Sequence, residues 1–235
     1  MADASAFEKA SLAWTLPWQD DWVTAVTFVG PKRRVAAGNN LGQILLWDLP
    51  EKPSEPAPPP VRRLDGHTNV ISRLLASPDG RWLISASYDH SVRLWDMEAA
   101  ATGTAEVILD SRSRADAARR AGAKAPPPAP GVKVELQQAA KTLDGHTDWV
   151  MSLAMTPDGK MLVSGDEDSQ VIVWDLPAQK ELRRWKVNTW VYALALSADG
   201  KQLLVSERLR RVFSTDARRA VKLWDPNTGQ MIRDL

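Results

Sequence analysis

Cysteine is absent from the 235 residues, which removes disulfides, thiolate zinc sites and cysteine nucleophiles in one step. An excess of one charge sign is absent too. With 30 Lys and Arg against 29 Asp and Glu, no whole-molecule field recruits nucleic acid or anionic lipid. No apolar run approaches the length a membrane-spanning helix needs. The start, MADASAFEKASLAW, has no basic region followed by an apolar core. A soluble, cytoplasmic protein is the expectation. Phenylalanine and tyrosine are scarce, at three and two, yet there are 11 tryptophans. So uneven a choice among the aromatics needs a cause.

The cause is a repeat. LLWDL (45–49), RLWDM (93–97), IVWDL (172–176) and KLWDP (222–226) each close a β-branched or leucine-rich run with Trp-Asp. A shift of 79 lays residues 64–96 over 143–175 without a gap, and both copies have 28 residues from a Gly-His histidine to the tryptophan. A shift of 127 brings 21–48 into the same frame, and a shift of 41 brings in 189–206, after which nine extra residues precede Trp224. Within a unit, an alternating run such as VISRLLA leads to Pro-Asp-Gly, then RWLISAS, a tight turn and SVRLWD. A further strand precedes each Gly-His pair. This is short strands joined by turns, four per unit of about 40 residues.

With these Trp-Asp ends and Gly-His pairs the chain resembles the WD-repeat β-propeller family. The resemblance implies an all-β fold of four-stranded antiparallel blades, four in this chain, as an open arc. The blades span 18–66, 67–145 with an insertion at 98–138, 146–186, and 187–235 with an insertion near 207–220, in a single propeller region over 1–235. It also implies a buried hydrogen-bond network per blade: His67, Ser85, Asp89 and Trp95 in blade two, with Ser87 on the same strand face as the alternative serine, and His146, Ser164, Asp168 and Trp174 in blade three. The physical need is plain, since a buried imidazole, hydroxyl, carboxylate and indole N–H must satisfy one another.

Ser85, Asp89 and His90 also spell the parts of a hydrolytic triad within six positions. His90, however, is matched by Ser169 in the next copy, and a catalytic constellation does not recur at repeat spacing. The structural reading is therefore preferred over a hydrolase, and no catalytic residue, metal ligand or cofactor is expected. Blades one and four depart from the pattern. Gln19 and Val187 stand at the histidine position, Leu41 at the turn aspartate and Val205 at the serine. Both blades are expected to rely on apolar packing.

The insertions PEKPSEPAPPP (50–60) and 98–138 follow third strands. The second is read as a loosely docked linker, with a short helix in SRSRADAARRAGAKA as the alternative. The resemblance places the residue before each first-strand valine at the top entrance of the central channel, and that position is read as Trp22, Asn69, Trp149 and Trp190. An aromatic arc there suits a protein or peptide partner. On the same face, ERLRRVFSTDARRA (207–220) carries five arginines against two acidic residues. Arg208, Arg210 and Arg211 would suit nucleic acid or an acidic or phosphorylated ligand.

Four blades leave two faces uncovered. The start, 11–16, is read as an outer strand for a closing blade, and 231–235 as the outer strand of blade four. Closure is expected either from missing C-terminal blades or from a homodimer making an eight-bladed ring. The first is preferred, because in the dimer the two outer strands would compete for one edge. The function expected is a non-enzymatic interaction scaffold using the top face, with no membrane partner.

Overall fold

The computed structural model describes residues 15–16, 18, 22–31, 33–52, 57–109, 119–122, 124, 130–208 and 220–235. They form only strands and turns, apart from one helical turn at 119–120. Blade one is β1 (Val23–Val29), β2 (Arg34–Asn39), β3 (Ile44–Asp48) and β4 (Arg62–Asp65). Blade two is β5 (Ile71–Ala76), β6 (Trp82–Ser87) and β7 (Val92–Asp96). Its insertion carries β8 (Gly103–Val107) and β9 (Val132–Gln138), and β10 (Lys141–Leu143) completes the blade. Blade three is β11 (Val150–Met155), β12 (Met161–Asp166), β13 (Gln170–Asp175) and β14 (Lys180–Lys186). Blade four is β15 (Trp190–Leu196), β16 (Leu203–Arg208), β17 (Ala220–Asp225) and β18 (Gln230–Asp234). Within each blade the strands run antiparallel in chain order, and the four blades form an unclosed arc.

Local chemistry sets these strands. At the first turn of blade two, Gly80 takes φ +73°, its N–H donates to Ser77 O at 2.8 Å, and Asp79 accepts from the Ser77 hydroxyl and the Arg81 N–H. Thr156–Asp158 and Ser197–Asp199 repeat the arrangement. Each first strand also carries one irregularity at the same place, between Val23 and Ala25, Ile71 and Arg73, Val150 and Ser152, and Val191 and Ala193. At the second turn, His90 and Ser169 both adopt left-handed backbone, with φ of 69° and 68°. His90 is thus an exposed turn residue, and its counterpart Ser169 is half-buried in the same backbone conformation.

The middle strands are buried on both faces, which is why they read as continuous apolar runs rather than alternating ones. In β13, Ile172 and Trp174 pack toward blade two while Val171 and Val173 pack toward blade four. The Trp-Asp tryptophan always points back: Trp95 packs with Ile44, Leu46 and Leu64 of blade one, and Trp174 with Leu94 and Leu143 of blade two.

Two further features fix each seam. A hydroxyl of one first strand bonds the next blade's backbone: Thr24 Oγ1 donates to Ile71 O and Ser72 Oγ to Val150 O, both at 2.5 Å. A small second-strand residue (Gly38, Ala86, Gly165) receives the next blade's first aliphatic residue (Ile71, Val150, Val191). A Cβ at Gly165 would lie 2.1 Å from Val191 Cγ1. Gly165→Val is therefore expected to cost about 1–3 kcal/mol by overpacking, with Gly165→Ala milder because blade two accommodates Ala86. Urea midpoints of the two variants check that order.

The insertion departs from the linker expectation. Its described parts form a β-hairpin of β8 and β9, and β9 pairs in parallel with β4, so blade one's sheet has six strands in the order β1-β2-β3-β4-β9-β8. The helix considered within 111–125 falls largely outside the described residues. So do residues 11–14 of the expected N-terminal outer strand. Thr15 and Leu16 lie in no strand, and Leu16 packs beside Trp18 and Trp47.

Candidate functional site

In blade two, β6 presents Ser85 inward, the turn after it brings Asp89, and the chain after β4 brings His67. His67 Nδ1 lies 2.7 Å from Asp89 Oδ2, and Nε2 lies 2.7 Å from Ser85 Oγ. Trp95 Nε1–H donates to Ser85 Oγ at 2.9 Å. The second Asp89 oxygen accepts from Ser91 Oγ at 2.6 Å and Ser91 N at 3.1 Å. Ser87, the alternative serine, is tied elsewhere, donating to Asn69 O and accepting from Asp89 N.

Blade three corrects one assignment. His146 Nδ1 meets Asp166 Oδ2 at 2.6 Å, not Asp168, while Ser164 Oγ joins His146 Nε2 at 2.6 Å and receives Trp174 Nε1–H at 2.7 Å. Asp166 already sits at the buried end of β12, so it reaches the imidazole without a turn. Asp168 is left at the surface, accepting from Lys186 Nζ at 2.9 Å and Thr147 Oγ1 at 3.1 Å. The position two before the turn aspartate is polar and buried in every blade, as Asn39, Ser87, Asp166 and Glu207, but it meets a histidine only in blade three. Asn39 Oδ1 caps Leu41 N and Gln43 N much as Asp166 Oδ1 caps Gln170 N.

Blades one and four are therefore not held by apolar packing alone. In blade four, Glu207 forms a buried ion pair with Lys222 at 3.1 Å. What both blades lose is the serine. Ala37 and Val205 stand at its position, and the indole N–H groups of Trp47 and Trp224 are buried with no acceptor among the described residues. Gln19, at the histidine position of blade one, lies outside the described residues.

At the starts of the first strands, register replaces one expected residue. Asn40 N bonds Trp22 O, Tyr88 N bonds Val70 O, and Glu167 N bonds Trp149 O. The counterpart of Trp22 and Trp149 in blade two is thus Val70, and Asn69 sits one residue further from β5. Blade two begins Val-Ile, so counting from its first valine shifts the frame by one. The aromatic group is completed by a residue that sequence reasoning passed over. Tyr88 stacks on Trp149 with centroids 4.5 Å apart and planes 5° apart. Burial raises the Tyr88 phenol above its ordinary value, as does the Glu167 carboxylate. Trp149 remains 40% exposed and Trp22 77%. Trp190 pairs in register with Arg208, the last residue of β16, while Arg210 and Arg211 lie outside the described residues.

The model of the WD domain, G-beta repeat, family matches residues 58–96 and 137–175, and each match ends on a Trp-Asp pair. The chain is a WD40-repeat protein. Among similar proteins, the nuclear distribution protein PAC1 of Arthroderma benhamiae is 29% identical over 69% of this chain and 41% of its own length. The small ribosomal subunit protein RACK1 of Neurospora crassa is 25% identical over 77% of this chain and 73% of its own. RACK1 of Caenorhabditis elegans is 30% identical over 72% and 56%. This WD40 chain thus spans about two-fifths of the length of the PAC1 proteins it matches.

Chemically, the WD40 network in blade two has the hydrogen-bond order of a Ser-His-Asp triad, but its serine is fully buried and its oxygen is already engaged by an indole. Burial lowers the His67 imidazole below its ordinary value against the opposing pull of Asp89. Burial would raise Asp89, but hydrogen bonds from His67, Ser91 and Thr68 outweigh it and hold the carboxyl well below the usual range. Both shifts act in one direction. The unfolded chain takes up a proton at histidine below about pH 6.5, before the native chain does, so stability is lost as the pH falls. The loss deepens below about pH 4, where the unfolded aspartate protonates. A urea midpoint lower at pH 5 than at pH 7.5 is expected. Among the described residues, no group of three or more His, Asp and Glu side chains could hold a metal, and no helix is long and apolar enough to cross a membrane.

Ser85→Ala leaves both Trp95 Nε1–H and His67 Nε2 without partners, at an expected cost of about 1–3 kcal/mol. The variant should fold, and a lowered unfolding midpoint is the readout.

Proposed function

We propose that this chain is a non-enzymatic, cytoplasmic interaction scaffold that binds a partner protein or peptide through the top face of its blades. The observation that carries the reading is the Tyr88–Trp149 stack. It is a flat aromatic platform, fixed between two blades, with Trp149 still partly open to solvent. A rigid aromatic that keeps exposed surface loses little freedom on binding, and tryptophan and tyrosine dominate interface hot spots. Trp22 and Trp190 hold the position of Trp149 in blades one and four. One relative carries a name that sets it within the small ribosomal subunit, which agrees with a component of assemblies. The sealed serine of the blade-two network supports a non-enzymatic role.

A second reading uses Arg208, Arg210 and Arg211 on an acidic or phosphorylated ligand or nucleic acid. Its support is the register that sets Arg208 opposite Trp190, together with the local charge of 207–220.

Affinity capture on the immobilised chain, followed by titration of the recovered partner, separates the two. On the first reading Trp149→Ala weakens binding about 30-fold or more, at an unchanged unfolding midpoint and with weak salt dependence. Binding that survives Trp149→Ala, falls steeply with salt and vanishes on replacing Arg208, Arg210 and Arg211 would transfer the function to the arginine segment.

A further inference from the structure

In blades two and three the Trp-Asp tryptophan is covered by the preceding blade. No blade precedes blade one among the described residues, yet Trp47 is only 1% exposed. Its cover comes from the chain itself. Trp18 lies with its ring 5.9 Å from that of Trp47, and Val107 of β8 and Val134 of β9 close over Trp47, Leu45 and Ala37. The hairpin's seat is built as well as apolar. Arg62 of β4 holds Glu135 through Nε at 2.8 Å and Nη2 at 2.6 Å, and reaches Gln137 Oε1 at 2.7 Å. Gln137, itself buried, donates to Asp96 O at 2.7 Å. Glu135 N bonds Val61 O at 3.1 Å, in continuation of the β4–β9 ladder.

The cover is partial. On β1, Val26 and Phe28 remain 66% and 69% exposed. The two ends of the arc also carry the halves of a fourth seam. Val23 stands where Ile71, Val150 and Val191 stand, and Ser206 stands where Gly38, Ala86 and Gly165 receive them. By continuity with the three existing seams, the surface complementary to the blade-one end is the blade-four end of a second copy.

We infer that the hairpin of β8 and β9 is an intramolecular cap, which takes the place of a preceding blade on the outer part of blade one and competes there with a second copy of the chain. Blade four of a second copy would need to lay its outer strands where β8 and β9 already lie. With the cap seated, only the β1 strip is available. With the cap displaced, the whole seam opens. The inference goes beyond the partner-binding reading and concerns a different surface, so either can fail without the other.

The absence of cysteine makes the test clean. In Arg62→Cys/Glu135→Cys, whose positions are paired in register, a single disulfide can form and locks the cap in place. In a trimmed chain, residues 97–140 are replaced by the short blade-three connection Leu176–Gln179. Sedimentation and light scattering across a concentration series are expected to show the locked chain as one copy throughout. The trimmed chain is expected to associate at least tenfold more tightly, or to unfold at a lower urea concentration because the Trp47 face is bare. A disulfide that fails to form in the folded protein overturns the inference. So does a trimmed chain with the same mass and the same midpoint as the locked one.

Discussion

Everything in this molecule depends on covering one side of a tryptophan. Each blade ends its third strand in Trp-Asp, and the indole points back across the seam, so a blade cannot bury its largest side chain alone. Blade two is completed by blade one, blade three by blade two and blade four by blade three. This one-directional dependence is that of stacked repeats, whose stability lies in nearest-neighbour interfaces. It also explains the composition. Four of the 11 tryptophans are this seam residue, one per blade, and Trp22, Trp149 and Trp190 recur at a second repeated position.

The polar network is subordinate to that packing, and its gradation along the chain shows as much. Blades two and three hold the full set, with the serine hydroxyl accepting the indole N–H and facing the imidazole. Blades one and four keep the tryptophan and lose the serine, leaving an indole N–H without an acceptor among the described residues. They retain a buried polar group at the end of the second strand, Asn39 or Glu207, and blade four balances Glu207 with Lys222. A lost hydrogen bond costs of order 1–3 kcal/mol, which a seam that buries several aliphatic side chains offsets.

The repeat, its strands and the network partners of blade two were legible in the sequence, because Trp-Asp, Gly-His and Pro-Asp-Gly are local signals at fixed spacing. What escaped was decided by geometry. Asp166 and Asp168 lie two apart, and positional matching to Asp89 favours Asp168, whereas the imidazole takes whichever carboxylate is already inside. Val70 escaped because blade two opens with two consecutive β-branched residues, and only the backbone bond from Tyr88 N settles the frame. The cap escaped because parallel pairing between strands some 70 residues apart leaves no mark on either strand. Tyr88 escaped because its partner lies in the next blade.

The proposed binding surface and the proposed cap occupy different parts of the arc, the one at the Tyr88–Trp149 stack between blades two and three, the other beside β4 of blade one. A cap of this kind requires the hairpin to be part of the folded body rather than an appendage. Amide hydrogen exchange on the intact chain tests this most directly. Protection of residues 132–138 that matches that of Arg62–Asp65, and that is lost with it in one cooperative step, is the predicted result. Exchange of 132–138 at the rate of an open chain, while Arg62–Asp65 and the blade seams stay protected, would contradict it.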